Sequence, residues 1–230
     1  MVALMAAGVM AAVGALLAQA DEFADKRNAM VDALVADGII GDERVVAAMR
    51  TVPRHLFLPE GQRDAAYRDE ALPIGYGQNL YAPSIIGIVV EALAPESTAR
   101  VLEVGTGSGY QAAVLAKLVR HVYSVEPVAE LATGAQQRLA DLDYANVTVR
   151  QGDLRLGWAE QAPFDAIVVN AAPEEVPQAL IDQLAEGGKM VIPLAEQGWT
   201  QKLYLMQKQD GRLERTELAD VIFVPMAQTG

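Results

Sequence analysis

The sequence holds no cysteine and only two histidines in 230 residues. The first absence excludes disulfides, thiolate metal sites and a cysteine nucleophile, and the second excludes a multi-histidine centre, so no bound metal is expected. Aromatic residues make up 6% of the chain, and 18 Lys plus Arg stand against 30 Asp plus Glu for a net charge of −12. With no basic cluster denser than Lys26-Arg27, itself flanked by acids, the chain is ill suited to phosphate backbones, and no nucleic-acid partner is expected. What is abundant is apolar residue, 52% of the total, enough for one substantial core with or without a small appendage. His55 follows Val52-Pro53-Arg54 in a loop-like stretch and His121 opens an apparent strand. Each reads as a half-buried, hydrogen-bonded side chain, since neither has a visible catalytic partner.

Residues 1–20 carry no charged side chain, and composition changes abruptly at Asp21. The run is short for a bilayer crossing of ~20 residues, so stable membrane insertion is not expected. Ala18-Gln19-Ala20 has the small-x-small form of a secretory cleavage site, yet no basic segment precedes the apolar stretch. The run reads as an apolar leader or extension, residues 21–95 as a helical region with a long loop, and residues 96–230 as a ligand-binding core.

Apolar spacing through Ala29, Met30, Ala33 and Leu34 predicts a helix broken at Gly38, and Asp42 caps a second running to Arg50. Thr51 to Ala82, with three prolines, reads as an irregular and functional loop. From Ala99, strand-like runs (Arg100 to Val104, Val122 to Glu126, Asn146 to Arg150, Asp165 to Asn170, Lys189 to Pro193) alternate with helical ones (Tyr110 to Leu118, Val128 to Leu142, Val176 to Leu184). That alternation predicts a parallel sheet covered on both faces. Lys202 to Gln207 and Val221 to Pro225 have no helix between them, and Gln209-Asp210-Gly211 reads as a tight turn, so an antiparallel pair is expected to end the sheet.

After the first of these strands comes Glu103-Val104-Gly105-Thr106-Gly107-Ser108-Gly109-Tyr110, with a helix following at once. Its third glycine stands one residue too early for the dinucleotide fingerprint, and no Gly-Lys-Ser/Thr ending follows to hold phosphate. Acids take that place: Glu103 before the loop, Glu126 ending the second strand 21 residues beyond Gly105, and Gly152-Asp153 after the third. In an open α/β sheet these strand ends share one crevice. Such a crevice suits a ligand with hydroxyls, an amine and positive charge, and S-adenosylmethionine is one; alternatively the acids only solvate strand ends.

Longer stretches carry a family likeness. Val52-Pro53-Arg54-His55-Leu56-Phe57-Leu58-Pro59, Leu72-Pro73-Ile74-Gly75-Tyr76-Gly77-Gln78, the block Val101 to Gln111, Ala162-Pro163-Phe164-Asp165-Ala166-Ile167, Pro177 to Pro193 and Phe223-Val224-Pro225 together resemble protein-L-isoaspartate O-methyltransferases. The resemblance covers about residues 23 to 226 and implies a class I methyltransferase fold. That fold is α/β, a doubly wound, mostly parallel Rossmann-like sheet with an antiparallel C-terminal strand pair and an N-terminal helical addition. It also implies S-adenosyl-L-methionine as cofactor, held by Glu103, Gly105, Thr106, Gly107, Gly109, Glu126, Gly152 and Asp153. The implied reaction methylates the stray carboxylate of isoaspartyl residues in damaged proteins or peptides, and the ester then closes to a succinimide. Gln78, Asn79 and Tyr81 are the expected acceptor-side catalytic residues. Here the sequence departs from the family, whose usual Thr-Ile-Ser is replaced by Asn79-Leu80-Tyr81; a related carboxylate methyltransferase with another peptide acceptor is the alternative. Leu154 is a second departure, standing where the family commonly has glycine.

The inventory suits that reaction. A carboxylate is already ionised at pH 7, with an ordinary pKa of ~4, so no general base is needed. A non-catalytic module that recognises altered aspartates is another reading. A nucleic-acid methylase is disfavoured, because Asn170-Ala171-Ala172-Pro173 lacks the stacking aromatic of base methylases. Trp158 and Trp199 read as core or edge aromatics; Tyr76 and Tyr81 equally suit packing of the N-terminal helices on the sheet. A cytoplasmic monomer is expected, because the cofactor is made in the cytosol, with export the alternative if residues 1–20 are cleaved.

Overall fold

In the computed structural model, residues 23–196 and 201–226 are described; the apolar leader and Trp199 lie outside them. A helix over 23–36 (α1) buries Met30, Val31 and Leu34. The second, α2 (Glu43–Thr51), begins where the Asp42 carboxylate accepts the Arg44 N–H at 2.8 Å. The expected irregular loop is more ordered than its prolines suggest. Two short 3₁₀ turns, Arg54–Phe57 and Glu60–Ala65, lead into a hairpin of β1 (Leu72–Gly75) and β2 (Gln78–Leu80). Its turn residues Tyr76 and Gly77 both have positive φ, +54° and +69°, the requirement of a two-residue turn that follows strand twist. Tyr76 is therefore exposed at the tip and does not pack the helices onto the sheet.

Helix α3 (Pro83–Leu93) follows, with Pro83 in its first turn. It buries Ile86, Val89, Val90 and Leu93. The main sheet then forms from β3 (Arg100–Val104), β4 (His121–Glu126), β5 (Val147–Gln151), β6 (Phe164–Val169), β7 (Leu184–Ala195), β8 (Gln201–Gln209) and β9 (Arg212–Val221). Its spatial order is β5-β4-β3-β6-β7-β8-β9, with the first five strands parallel and the last two antiparallel. The crossover helices are α4 (Tyr110–Ala116), α5 (Ala129–Asp141) and α6 (Gln178–Gln183).

Alternation along the strands divides the core. Val101, Val122, Ala166, Val168 and Val191 pack on the face that also receives α1 to α5, while Leu102, Val104, Val125, Ile167, Val169 and Met190 pack on the other with Leu180 of α6. The doubly wound expectation is met. The final strand differs: Asp210 and Gly211 turn the chain as expected, but β9 occupies Arg212–Val221, so of the expected run Val221 to Pro225 only Val221 is in the strand and the rest continues past it. Exposed Arg, Glu and Asp side chains along this edge strand erase the apolar signal that would have revealed it.

Candidate active site

Strand order reverses between β3 and β6, so the carboxyl ends of β3, β4, β5 and β6 open onto one crevice. Gly105 leaves β3 at φ +99°, and a Cβ there would lie 3.1 Å from the Asn170 Cβ, so the loop passes the end of β6 only without a side chain. Gly109 starts α4 at φ +88°, where a Cβ would come within 3.2 Å of Leu139 Cδ1. The loop between them walls a cleft of about 140 Å³.

Glu126 and Asp153 are the cleft's charged residues; no Lys, Arg or His lines it among the described residues. The Glu126 carboxylate accepts the Gly107 N–H at 2.8 Å and the Val128 N–H at 3.1 Å. Burial nevertheless raises its pKa, the backbone donors opposing that shift. Asp153 accepts the Arg155 N–H at 2.8 Å. Glu103 is fully buried and does not line the cleft. Ser124 Oγ donates to its Oε2 at 2.5 Å, and Ser124 in turn lies 2.5 Å from Thr106 Oγ1, which does reach the cleft. Desolvation, and more weakly the charge of Glu126, push Glu103 up to about 8 against the opposing bond from Ser124.

Thus Gln78, Asn79, Tyr81, Gly105, Thr106, Gly107, Glu126 and Asp153 line one cleft, while Glu103, Gly109 and Gly152 stand behind it. Gly152 donates its N–H to the Glu126 carbonyl at 3.0 Å and so fixes the strand end that carries that acid. Leu154 also lines the cleft.

Opposite the acids, Tyr81 donates its O–H to the Asn170 carbonyl at 3.0 Å and accepts the Val224 N–H at 3.4 Å. Its ring lies against Phe223, centroids 4.1 Å apart. Tyr81 thus ties the loop after β2 to the end of β6 and to the closing segment. Burial pushes its phenol to about 12, so it remains a neutral donor. Behind it Arg54, fully buried, donates to the Tyr81 carbonyl at 2.7 Å and the Ala66 carbonyl at 2.8 Å, with its guanidinium 4.9 Å from the Tyr110 ring centroid. Sequence reasoning gave Arg54 no role; its place in the Val52 to Pro59 stretch was the available signal. It also missed Ser108 and Gln111, which line the cleft and whose side-chain polar atoms have no partner among the described residues.

The histidines are structural. His55 Nδ1 lies 2.7 Å from the Tyr67 hydroxyl with its ring stacked on Phe23, and His121 Nε2 lies 2.9 Å from Thr148 Oγ1. Trp158 packs at the sheet edge against Tyr123 and the Arg150 guanidinium. Among the described residues no group of three or more acids and histidines is placed to hold a metal, and no helix is long and apolar enough to cross a membrane.

Known proteins are similar to this chain in sequence over most of its length. A relative from Synechococcus sp. named protein-L-isoaspartate O-methyltransferase is 52% identical over 215 residues, 90% of this chain and 87% of its own. One of the same name from Halorhodospira halophila is 47% identical, over 88% of this chain and 91% of its own. Among solved structures, a Plasmodium falciparum chain named for the same activity, crystallised with S-adenosyl-L-homocysteine, superposes with a TM-score of 0.77 at 28% identity. It covers 87% of this chain and 98% of its own. Residues 25–230 match the sequence profile of Protein-L-isoaspartate(D-aspartate) O-methyltransferase, and the chain belongs to that family.

Proposed function

We propose that this protein methylates the free carboxylate of L-isoaspartyl residues in damaged proteins, using S-adenosyl-L-methionine, and so begins their repair. The carrying observation is the cleft itself: a glycine loop with acids at two strand ends, no cationic lining side chain among the described residues, and a tyrosine-clamped acceptor loop opposite.

The cofactor fits the residues present. Cation-free lining with Glu126 and Asp153 suits a positively charged nucleoside with hydroxyls and an amine, and opposes a pyrophosphate. Buried atoms without partners among the described residues, Ser108 Oγ and Asn170 Oδ1, leave hydrogen-bonding capacity at the loop and at the end of β6. Glu126 would hold the ribose hydroxyls, Asp153 with its backbone neighbours the adenine edge, and Gly105 to Gly107 the amino-acid portion. When bound, the cofactor supplies a methyl carbon made electrophilic by positive sulfur.

The chain's own residues then have little proton chemistry to perform, since the nucleophile arrives ionised. Their task is to hold a carboxylate oxygen in line and to keep water out. At 3.4 Å the Val224 N–H bond to Tyr81 is near the limit of a hydrogen bond, so that N–H is readily given up to an entering carboxylate. Tyr81, locked as a neutral phenol, takes the place of the family serine by turning its single O–H from the Asn170 carbonyl to the entering carboxylate, and Gln78 and Asn79 border the same wall. Residues 21–95 thus bring Gln78, Asn79 and Tyr81 to the acceptor wall and residues 96–230 form the cofactor-binding core, which completes that wall, in one enzyme acting as a monomer in the cytoplasm where the cofactor is made.

A radiolabel assay on one peptide in isoaspartyl and aspartyl forms tests this. The expected result is volatile, methanol-releasing label from the isoaspartyl form only. Tight cofactor binding without that label would redirect the enzyme to another carboxylate, and a Tyr81→Ser variant that gained the activity would identify the acceptor loop as the cause.

A further inference from the structure

Helix α4 presents to the cleft a polar side chain that neither the fold nor the steps above use. Gln111, in its first turn, is 4% exposed and lines the cleft, and neither Oε1 nor Nε2 has a hydrogen-bond partner among the described residues. Leaving both ends of a carboxamide buried and unpaired is costly, and native interiors rarely do it without a reason. Methionine or leucine would occupy similar volume at no such cost. Ser108 Oγ, the Tyr110 hydroxyl and Asn170 Oδ1 also lack partners among the described residues that line the cleft, but each is a single atom. Gln111 offers a donor and an acceptor side by side.

Resting on the reading above, we propose that Gln111 recognises the isoaspartyl linkage through two hydrogen bonds. In an isoaspartyl residue the free carboxylate and the backbone N–H are borne on the same Cα. When that residue is extended, the N–H and one carboxylate oxygen point the same way, and a carboxamide can pair with both. Nε2 donates to the carboxylate oxygen and Oε1 accepts the N–H, which leaves the second carboxylate oxygen for the methyl group. In an ordinary aspartyl residue the Cα bears a peptide carbonyl instead, and the free carboxylate stands one carbon further out. Gln111 holding that residue the same way would present no carboxylate oxygen at the reacting position. It thereby sets which oxygen is methylated as well as how tightly the peptide binds.

The test is a cycle of two proteins and two peptides. An isoaspartyl peptide and its counterpart methylated on the isoaspartyl nitrogen are assayed with the wild type and with Gln111→Met, alongside calorimetric Kd values for S-adenosyl-L-homocysteine. Nitrogen methylation is expected to lower wild-type kcat/KM about tenfold or more, the scale of a buried hydrogen bond removed. Gln111→Met starts lower by a similar factor and loses at most about twofold further, since it has no acceptor to offer the N–H. Its Kd for S-adenosyl-L-homocysteine stays at the wild-type value. Gln111→Glu keeps the size and the acceptor but sets a charge against the carboxylate, so it falls below Gln111→Met on the unmethylated peptide. Equal losses on nitrogen methylation in wild type and Gln111→Met would overturn the inference. So would a Gln111→Met variant whose only defect is weaker S-adenosyl-L-homocysteine binding. Wild type that transfers no methyl to the isoaspartyl peptide at all would instead defeat the underlying functional reading.

Discussion

Replacing Glu103 by glutamine tests whether a carboxyl can be kept under the glycine loop without its charge. The side chain is fully buried, Oε2 accepts from Ser124 and Oε1 has no partner among the described residues. Burial moves it from 4.5 to about 8. A raised carboxyl pKa means that the folded protein binds a proton more tightly than the unfolded chain, so stability must fall as pH rises between those values. At ~1.4 kcal/mol per unit, a shift from 4.5 to about 8 costs roughly 5 kcal/mol once the group is ionised in both states, and about 3 kcal/mol already at pH 7. These are upper bounds, because small movements and water relieve part of the penalty. Glutamine keeps the shape and an acceptor for Ser124, and it does not ionise. Urea unfolding of wild type and Glu103→Gln at several values between pH 5 and pH 8.5 gives two stability curves, and their difference cancels other titrating groups. One of those is His55, which burial lowers to about 4 and which imposes a slope of the opposite sign below its ordinary 6.5. The difference should be small near pH 5, grow in favour of glutamine as pH rises, and level off above about pH 8. A difference that stays constant across the range would refute the buried, proton-binding state of Glu103.

Other substitutions separate the two sides of the cleft. Arg54→Met strips the donors from the buried Ala66 carbonyl and the part-buried Tyr81 carbonyl, and should cost about 2–4 kcal/mol in denaturant unfolding. Because it releases the loop that carries Tyr81, it should also raise peptide KM while the S-adenosyl-L-homocysteine Kd is kept. Tyr81→Phe leaves the Asn170 carbonyl and Val224 N–H unpaired; isoaspartyl kcat/KM should drop about tenfold in the labelling assay, with little change in cofactor Kd. Glu126→Gln, which removes the charge at the end of β4, should weaken S-adenosylmethionine binding by calorimetry about tenfold or more. Gly109→Ala places a Cβ at φ +88° and 3.2 Å from Leu139, and a thermal melt should show about 1–2 kcal/mol of destabilisation.

The cofactor side was legible in sequence because its parts are local. Glycines that must take positive φ, and acids placed at successive strand ends, keep their meaning wherever the strand–helix alternation can be read. Burial is different, since it depends on what packs above. Glu103 and Glu126 look alike as strand-end acids. Yet Glu103 lies on the sheet face covered by α1 to α5, behind Ser124, while Glu126 comes out at the end of its strand. Helix α3 was passed over because PSIIGIVVEAL is apolar on nearly every side, so a helical stripe has no polar background against which to appear. Strand β9 was misplaced for the converse reason, its side chains being mostly polar and exposed at the sheet edge.

The acceptor side resists reading because contacts between distant positions create it. Tyr81 meets Asn170, 89 positions on, and Val224, 143 positions on, while Arg54 reaches the Tyr81 carbonyl from 27 positions before it. None of these residues announces the contact, and Tyr81 in isolation suits a packing aromatic as well as a clamp. Their combination has a chemical consequence that substitution by type would miss. A serine at position 81 would bring its hydroxyl close to the backbone and leave the space beneath Phe223 unfilled. Tyrosine reaches across to the end of β6 and lays its ring on Phe223. The Tyr81 O–H is held to the Asn170 carbonyl from a ring whose position is set by the closing segment, so changes at Phe223 should act on peptide KM through Tyr81.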